Sequence, residues 1–284
     1  MREYNFSHWG GKLPKMSGCC MTFGRPDMLN EAVECFLRQD YPGEKELVIL
    51  NDHPTILLEY PDCPDNILLV NLKERLPTIG DKRNMSTDLS TGDIVMQWDD
   101  DDIHLPNRFS IIAEKMTLHH YYKPNRFWYG QHGKIDVNPR KNVAHAMSGY
   151  SREFYKATGG YPPKHSGQDI WFEKAAKQVW LIDGKLYRGK DVPPGGRQNG
   201  KKARQCYDIP DEDLYYVYRF GATGSYHLCV WGPNKGYDQS MEWVNKRIAP
   251  GTYIIKPHWK KDYAAMVEDN IAERKKLNAE VSDN

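Results

Sequence analysis

The stretch IVMQWDDDDIHLP, residues 94–106, sets four consecutive aspartates between two apolar runs. Like charges crowded this way repel one another unless water or a cation lies among them. Carboxylates at the end of a buried strand are one way a protein holds Mg2+ or Mn2+. These ions take oxygen ligands and leave coordination positions for phosphate and water. Asp99 and Asp101 form a D-x-D pair, with Asp100 between them and Asp102 leading into the next turn. The alternative is a solvated acidic loop. Trp98 before the run and Ile103 after it favour the metal–phosphate reading, because they tie the acids to the middle of a sheet.

The elements that would carry these acids follow from apolar patterning. PDMLNEAVECFLRQDYPG places Leu29, Val33, Phe36 and Leu37 at helical spacing, with Pro26 suited to the first turn and Pro42-Gly43 as a stop. KELVILND and NILLVNL read as short, continuously apolar strands buried on both faces, and IVMQW as a third buried strand. IGDKRNMSTDLSTGD reads as a helix ending near Gly92, and Pro106 opens another along PNRFSIIAEKMTLHHYY. Strand and helix alternate to about residue 120, which predicts an open α/β sheet with right-handed crossovers. Ligands of such sheets bind beyond the carboxyl ends of the strands, where Asn51-Asp52 and the aspartate run both fall.

Five motifs in order resemble the nucleotide-sugar half of a family-2 glycosyltransferase with the GT-A fold. They are TFGRP (22–26), RQDYPG, LVILND, GDKRNMS and MQWDDDDIHLPNR. The resemblance implies a GT-A-type open, mostly parallel sheet flanked by helices. It covers about the first 120 residues and extends to about 180, so residues 1–180 are expected to form the catalytic core, with the nucleotide-sugar half at 17–120. Residues 181–284 are expected to be an irregular appendage: a basic flexible loop, an acceptor-side segment and a C-terminal helix.

The same resemblance implies roles. Asp52 would accept the base N–H of a uridine nucleotide, while Asn51 stands where the family has a first acid. Arg83 would lie beside the base and pyrophosphate. Asp99 would face the ribose or the metal, Asp100 would join the nucleotide-sugar site, and Asp101 would bind a Mn2+ or Mg2+ bridging the diphosphate. Thr22 and Arg25 would lie on the loop closing over the nucleotide. ATGGYPPKHSGQDIWFEKAAK supplies the Gly-Gly-aromatic turn that precedes the family's catalytic base, which places the base at Asp169, after Gln168. The competing role for Asp169 is a helix N-terminal acid favoured by the macrodipole. A C-terminal His can add a metal ligand, and His227 is the candidate, with a structural histidine as the alternative. His145 reads either as an acceptor contact or as a packed histidine.

The implied reaction is metal-dependent transfer from a UDP-sugar to an acceptor hydroxyl with inversion, the acceptor being a glycan or glycoconjugate. A DNA acceptor bearing a hydroxymethylated base is the first alternative. It is permitted by RGKDVPPGGRQNGKKARQ (188–205), a Gly/Pro-rich basic stretch that reads as a mobile loop. A nucleotidyltransferase would show a Gly-rich phosphate loop near the first strand, which CCMTFGRP lacks. A non-catalytic sugar-nucleotide-binding module would have no need of Asp169.

Composition bounds the rest. The chain has 284 residues and a net charge of +1, so nothing in its overall charge draws it to nucleic acid or membrane. No apolar run approaches the roughly 20 residues that span a bilayer, and MREYNFSHWGGKLPK lacks a signal peptide's apolar centre. The six cysteines form no CxxC pair and no zinc spacing. Cys19 and Cys20 read as buried thiols, and a reducing cytoplasm is the expected compartment.

Overall fold

Strand β1 (Met16–Thr22) lies inside the main sheet because its small and apolar side chains are almost all buried. Its flanks follow the order of the chain: α1 (Pro26–Leu37), β2 (Lys45–Asn51), β3 (Ile56–Glu59), β4 (Ile67–Asn71), α2 (Ile79–Leu89), β5 (Ile94–Gln97), β6 (Ile103–His104) and α3 (Arg108–Lys115). Next come β7 (Tyr121–Pro124), β8 (Arg126–Gln131), β9 (Lys134–Ile135), β10 (Arg140–Lys141), β11 (Gly149–Ser151), α4 (Arg152–Thr158) and α5 (Gln168–Ala176). The remainder is β12 (Val179–Ile182), β13 (Lys185–Arg188), α6 (Gly196–Asn199), β14 (Lys201–Lys202), β15 (Arg204–Tyr207), β16 (Tyr216–Phe220), β17 (Gly251–Ile254) and the C-terminal helix α7 (Tyr263–Ser282). These come from a computed structural model that describes residues 2–116, 120–141, 145–220, 242 and 244–282.

The seven-stranded main sheet has the order β15-β7-β11-β5-β1-β2-β4. Every neighbouring pair is parallel except those made by β11, which runs against both β5 and β7. This is the mostly parallel α/β sheet expected. The three predicted strands are β2, β4 and β5, and the tips of β2 and β5 carry the acids. A second sheet, β10-β8-β16-β6, begins just beyond the aspartates.

Trp98 explains why the acidic run starts where it does. Its indole is fully buried, donates N–H to the Ala32 carbonyl at 2.9 Å, and meets Phe36 and Phe109 edge-on. Gly18 makes room for it: a Cβ there would stand 3.2 Å from the indole. The chain is therefore pinned at residue 98, where the acidic turn begins.

Three expectations need correction. The helix opened by Pro106 ends at Lys115, and Tyr121 and Tyr122 belong to β7. The stretch 188–205 holds ordered elements, α6 and β14, and runs into β15, whose backbone pairs with β7 in the main sheet. The chain after residue 180 is thus woven into the sheets, with β16 pairing β8 and β6, and β17 pairing β3. Cys19 and Cys20 are buried free thiols as expected. Among the described residues no helix is long and apolar enough to cross a membrane.

Candidate active site

The loop after β1 is shaped by Asn51. Its amide oxygen accepts from the backbone N–H of Gly24 at 3.1 Å and of His53 at 3.2 Å. Its amide nitrogen donates to the Ile56 carbonyl at 2.8 Å and to Asn71 Oδ1 at 2.9 Å. Gly24 has φ of 59°, a left-handed conformation that glycine adopts without strain. An acid in place of Asn51 could accept the first two bonds but could not donate the last two.

Asp52, at the tip of β2, is buried and paired with Lys82 of α2. Lys82 Nζ also donates to the Thr22 carbonyl, while Asp52 Oδ2 accepts the Leu76 N–H at 3.2 Å. Burial lowers the Lys82 pKa against the pull of Asp52. Lys82 thus binds the ends of β1 and β2 to α2. Sequence reasoning passed over it, although it stands beside Arg83 in the motif.

Of the four aspartates, Asp100, Asp101 and Asp102 are buried and Asp99 is partly exposed. Asp100 is enclosed, its carboxylate held by Arg25 through Nε at 3.1 Å and through Nη2. Burial pushes its pKa up to about 6, with Arg25 opposing and Asp101 adding to the rise. Asp102 is also enclosed, accepting from the Tyr216 hydroxyl and from the Arg219 backbone N–H at 2.8 Å. Burial, Asp101 and Asp99 drive its pKa well above the usual carboxylate value. Asp99 and Asp101 keep 23% and 12% of their side-chain surface exposed. Arg25 Nη1 lies 3.4 Å from Asp101, and Arg83 Nη2 lies 3.5 Å from Asp99. The positive charge that such a run requires is therefore supplied by arginines on both sides.

The turn is held from behind. His104 Nε2 meets the Asp99 carbonyl at 3.1 Å, and Arg219 donates from Nε to the Asp101 carbonyl at 2.7 Å. Arg219 also pairs with buried Glu31 at 2.6 Å, and Glu31 accepts from the Tyr263 hydroxyl at the start of α7. The C-terminal helix is in this way linked to the backbone of the acidic turn.

Arg83 joins the two halves. Buried in α2, it donates to Gln97 Oε1 at 2.7 Å and lies over the Tyr161 ring at 5.6 Å. Burial works to lower its pKa, but Asp99, Tyr161 and Asp169 together turn the net shift upward. Asp169 occupies the first turn of α5, after Gly167, whose φ is 69°, and its Oδ1 accepts the Ile170 N–H at 2.8 Å. The acid from the sheet tip and the acid from α5 act on one guanidinium.

Asp99, Asp101, Arg25, Arg83 and Asp169 are thus linked by contact or charge, with Asp52 and Thr22 joined through Lys82. Asp100 sits beneath them against Arg25. His145 is a packed histidine, 3% exposed. His227 lies outside the described residues.

A family model described as Glycosyl transferase family 2 matches residues 19–176. No curated protein matches the sequence. Solved structures similar to the chain include S. aureus TarS 1–349, at 14% identity and a TM-score of 0.48, covering 72% of this chain and 60% of that one. The same TarS fragment in complex with UDP-GlcNAc matches at 14% identity and a TM-score of 0.45, covering 73% and 59%. The mannosyltransferase PcManGT from Pyrobaculum calidifontis, in complex with GDP-Man and Mn2+, matches at 15% identity and a TM-score of 0.44, covering 70% and 58%. The chain spans about three fifths of the length of these chains.

Proposed function

Because the chain belongs to glycosyl transferase family 2, and is a glycosyltransferase on that ground, we propose that it transfers a sugar with inversion from a UDP-sugar to a hydroxyl of a glycan or glycoconjugate, using a divalent cation. The observation that carries this reading is the contact of Arg83 with Asp99 at 3.5 Å, together with the pull of the Asp169 charge on the same guanidinium. A sheet-tip acid suited to the donor and a helix acid suited to the acceptor thereby bear on the same guanidinium. Residues 17–120 form the donor side in this reading, and the chain beyond supplies the acceptor side.

Asp99 and Asp101 fit Mg2+ or Mn2+. They are hard oxygen donors, and their side chains keep 23% and 12% of their surface exposed, against 1% for Asp100. Among the described residues no three His, Cys, Asp or Glu side chains gather into a cage. Two carboxylates with positions left for diphosphate oxygens and water match the habits of these ions. The cation supplies Lewis-acid stabilisation of the negative charge that gathers on the leaving diphosphate.

The protein's own groups do the rest. Arg25 and Arg83 add fixed positive charge beside the phosphates. Asp52 offers carboxylate lone pairs to the uracil N3–H beyond those used by Lys82 and Leu76. Asp169, held by the Ile170 N–H, takes the proton from the acceptor hydroxyl as its oxygen attacks C1 from the face opposite the diphosphate. The C1–O bond breaks and UDP leaves with the electron pair, so one displacement inverts the anomeric centre.

The test is incubation with a panel of nucleotide sugars, reading nucleotide release with and without Mn2+. Release from a UDP-sugar that depends on Mn2+ is expected. Equal release with a chelator present would remove the cation from this reading.

A further inference from the structure

Glu173 lies one helical turn beyond Asp169, and residues four apart share a helix face. Its carboxylate is buried and heavily engaged. Lys123 Nζ donates at 2.9 Å and Arg204 at 2.9 Å and 3.2 Å. His145 Nδ1 lies 3.1 Å away, and the Tyr121 hydroxyl donates as well. Lys123 and Tyr121 come from β7, Arg204 from β15, so the edge strand of the main sheet and its neighbour both hold one side chain of α5.

A single line of hydrogen bonds leads from Glu173 back to Arg83. His145 Nε2 meets the Tyr161 hydroxyl at 2.6 Å, and that hydroxyl meets the Tyr150 hydroxyl at 2.9 Å. Gln97 Nε2 donates to the Tyr150 oxygen at 2.8 Å, and Gln97 Oε1 accepts from Arg83 at 2.7 Å. A carboxylate can only accept, so Nδ1 of His145 carries the proton and Nε2 accepts from Tyr161. Every bond then runs in one sense, from the Arg83 cation to the Glu173 anion. Burial draws the His145 pKa down although Glu173 works to raise it.

The proposed transfer needs Asp169 set to within a fraction of an ångström, since a 1 Å misplacement can cost on the order of 10²-fold in rate. Helix α5 cannot slide or rotate without breaking bonds at Glu173, and those bonds end on the arginine that borders Asp99. We propose that Glu173, held by Lys123, Arg204 and His145, is a positioning residue that sets the Asp169 base against the donor side of the cleft. This rests on Asp169 being the base, as argued above.

A double-mutant cycle tests it, on the full chain with the donor preferred in the panel. Glu173→Gln keeps the shape but removes the charge and puts an N–H among donors. Turnover is expected to fall about tenfold or more, with donor affinity by calorimetry unchanged within about twofold. In an Asp169→Asn background the same change should cost less than about twofold, because there is no base left to position. An equal fold loss in both backgrounds, or a matching loss of donor affinity, overturns the positioning role. Full turnover by Asp169→Asn alone overturns the base assignment instead, and the proposal with it. If Glu173→Gln does not fold, Tyr121→Phe removes one bond and is read the same way: a smaller loss of turnover that vanishes in the Asp169→Asn background supports the role, and one that persists there refutes it.

Discussion

Asn84 grips Tyr161 by both of its backbone groups: Oδ1 accepts the Tyr161 N–H at 2.8 Å, and Nδ2 donates to the Tyr161 carbonyl at 2.8 Å. The Tyr155 hydroxyl donates to the same Oδ1 at 2.8 Å. This locks α2 to the Gly-Gly-Tyr turn that leads to Asp169. Gly80 permits the approach, because a Cβ there would lie 1.9 Å from the Pro162 carbonyl. Each buried group left without a partner costs about 1–3 kcal/mol. Asn84→Ala should therefore lower the melting temperature by several degrees and reduce turnover more than donor affinity. Calorimetric melting and steady-state kinetics check both, and an unchanged protein would deny the link.

Asp101→Asn should abolish the response of turnover to Mn2+ while nearly preserving shape. Titration of the ion against nucleotide release reads it. Wild-type activity of this variant in chelator would contradict the assignment of Asp101 to the cation.

Asp52 has two predicted effects that separate by method. Asp52→Ala strands the buried Lys82, and removing one partner of such a pair costs about 3–5 kcal/mol. Asp52→Ala combined with Lys82→Met should recover much of that loss on denaturant unfolding. The wild type should bind UDP more tightly than GDP or CMP by calorimetry. A bond to a charged acceptor contributes about 1.5–3 kcal/mol, so the double variant should lose about tenfold or more in UDP affinity. Equal affinity of the wild type for GDP would contradict the uracil contact.

Stability should depend on acid through Glu173. Burial opposes its ionisation, but His145, Lys123 and Tyr121 outweigh burial and hold its pKa well below the usual carboxylate range. A carboxylate with a depressed folded-state pKa adds stability that is fully present above its unfolded value near 4.5 and is lost as pH falls toward the folded value. Glu173→Gln should therefore flatten the fall in melting temperature below about pH 4.5. Parallel acid slopes for the two proteins would argue against an ionised Glu173.

The elements of the donor half were legible because each is a local pattern: LVIL, ILLV and IVM are continuously apolar, and Pro26, Pro42 and Gly92 punctuate them. The site acids could be placed by their position after those runs. What stayed hidden depends on partners distant in sequence. Lys123 is fully buried in β7, and nothing near it announces Glu173, fifty residues on. Arg204 follows a stretch rich in glycine and proline that locally does read as loop, yet β15 gains its backbone partners from β7. Asn51 reads as a missing acid, whereas its amide makes four bonds that an acid could not all make. Asp100 was grouped with the nucleotide site by its place in the run, but alternation along the turn directs it inward to Arg25.

The central claim is a single displacement driven by one base, Asp169, and the anomeric configuration of the product reads it most directly. The preferred donor should be turned over with Mn2+ and an acceptor while the H1 coupling of the glycoside product is followed by NMR. An α-linked donor should give a β-linked product. An α-linked product would mean retention, and with it a different chemistry from the one proposed for Asp169.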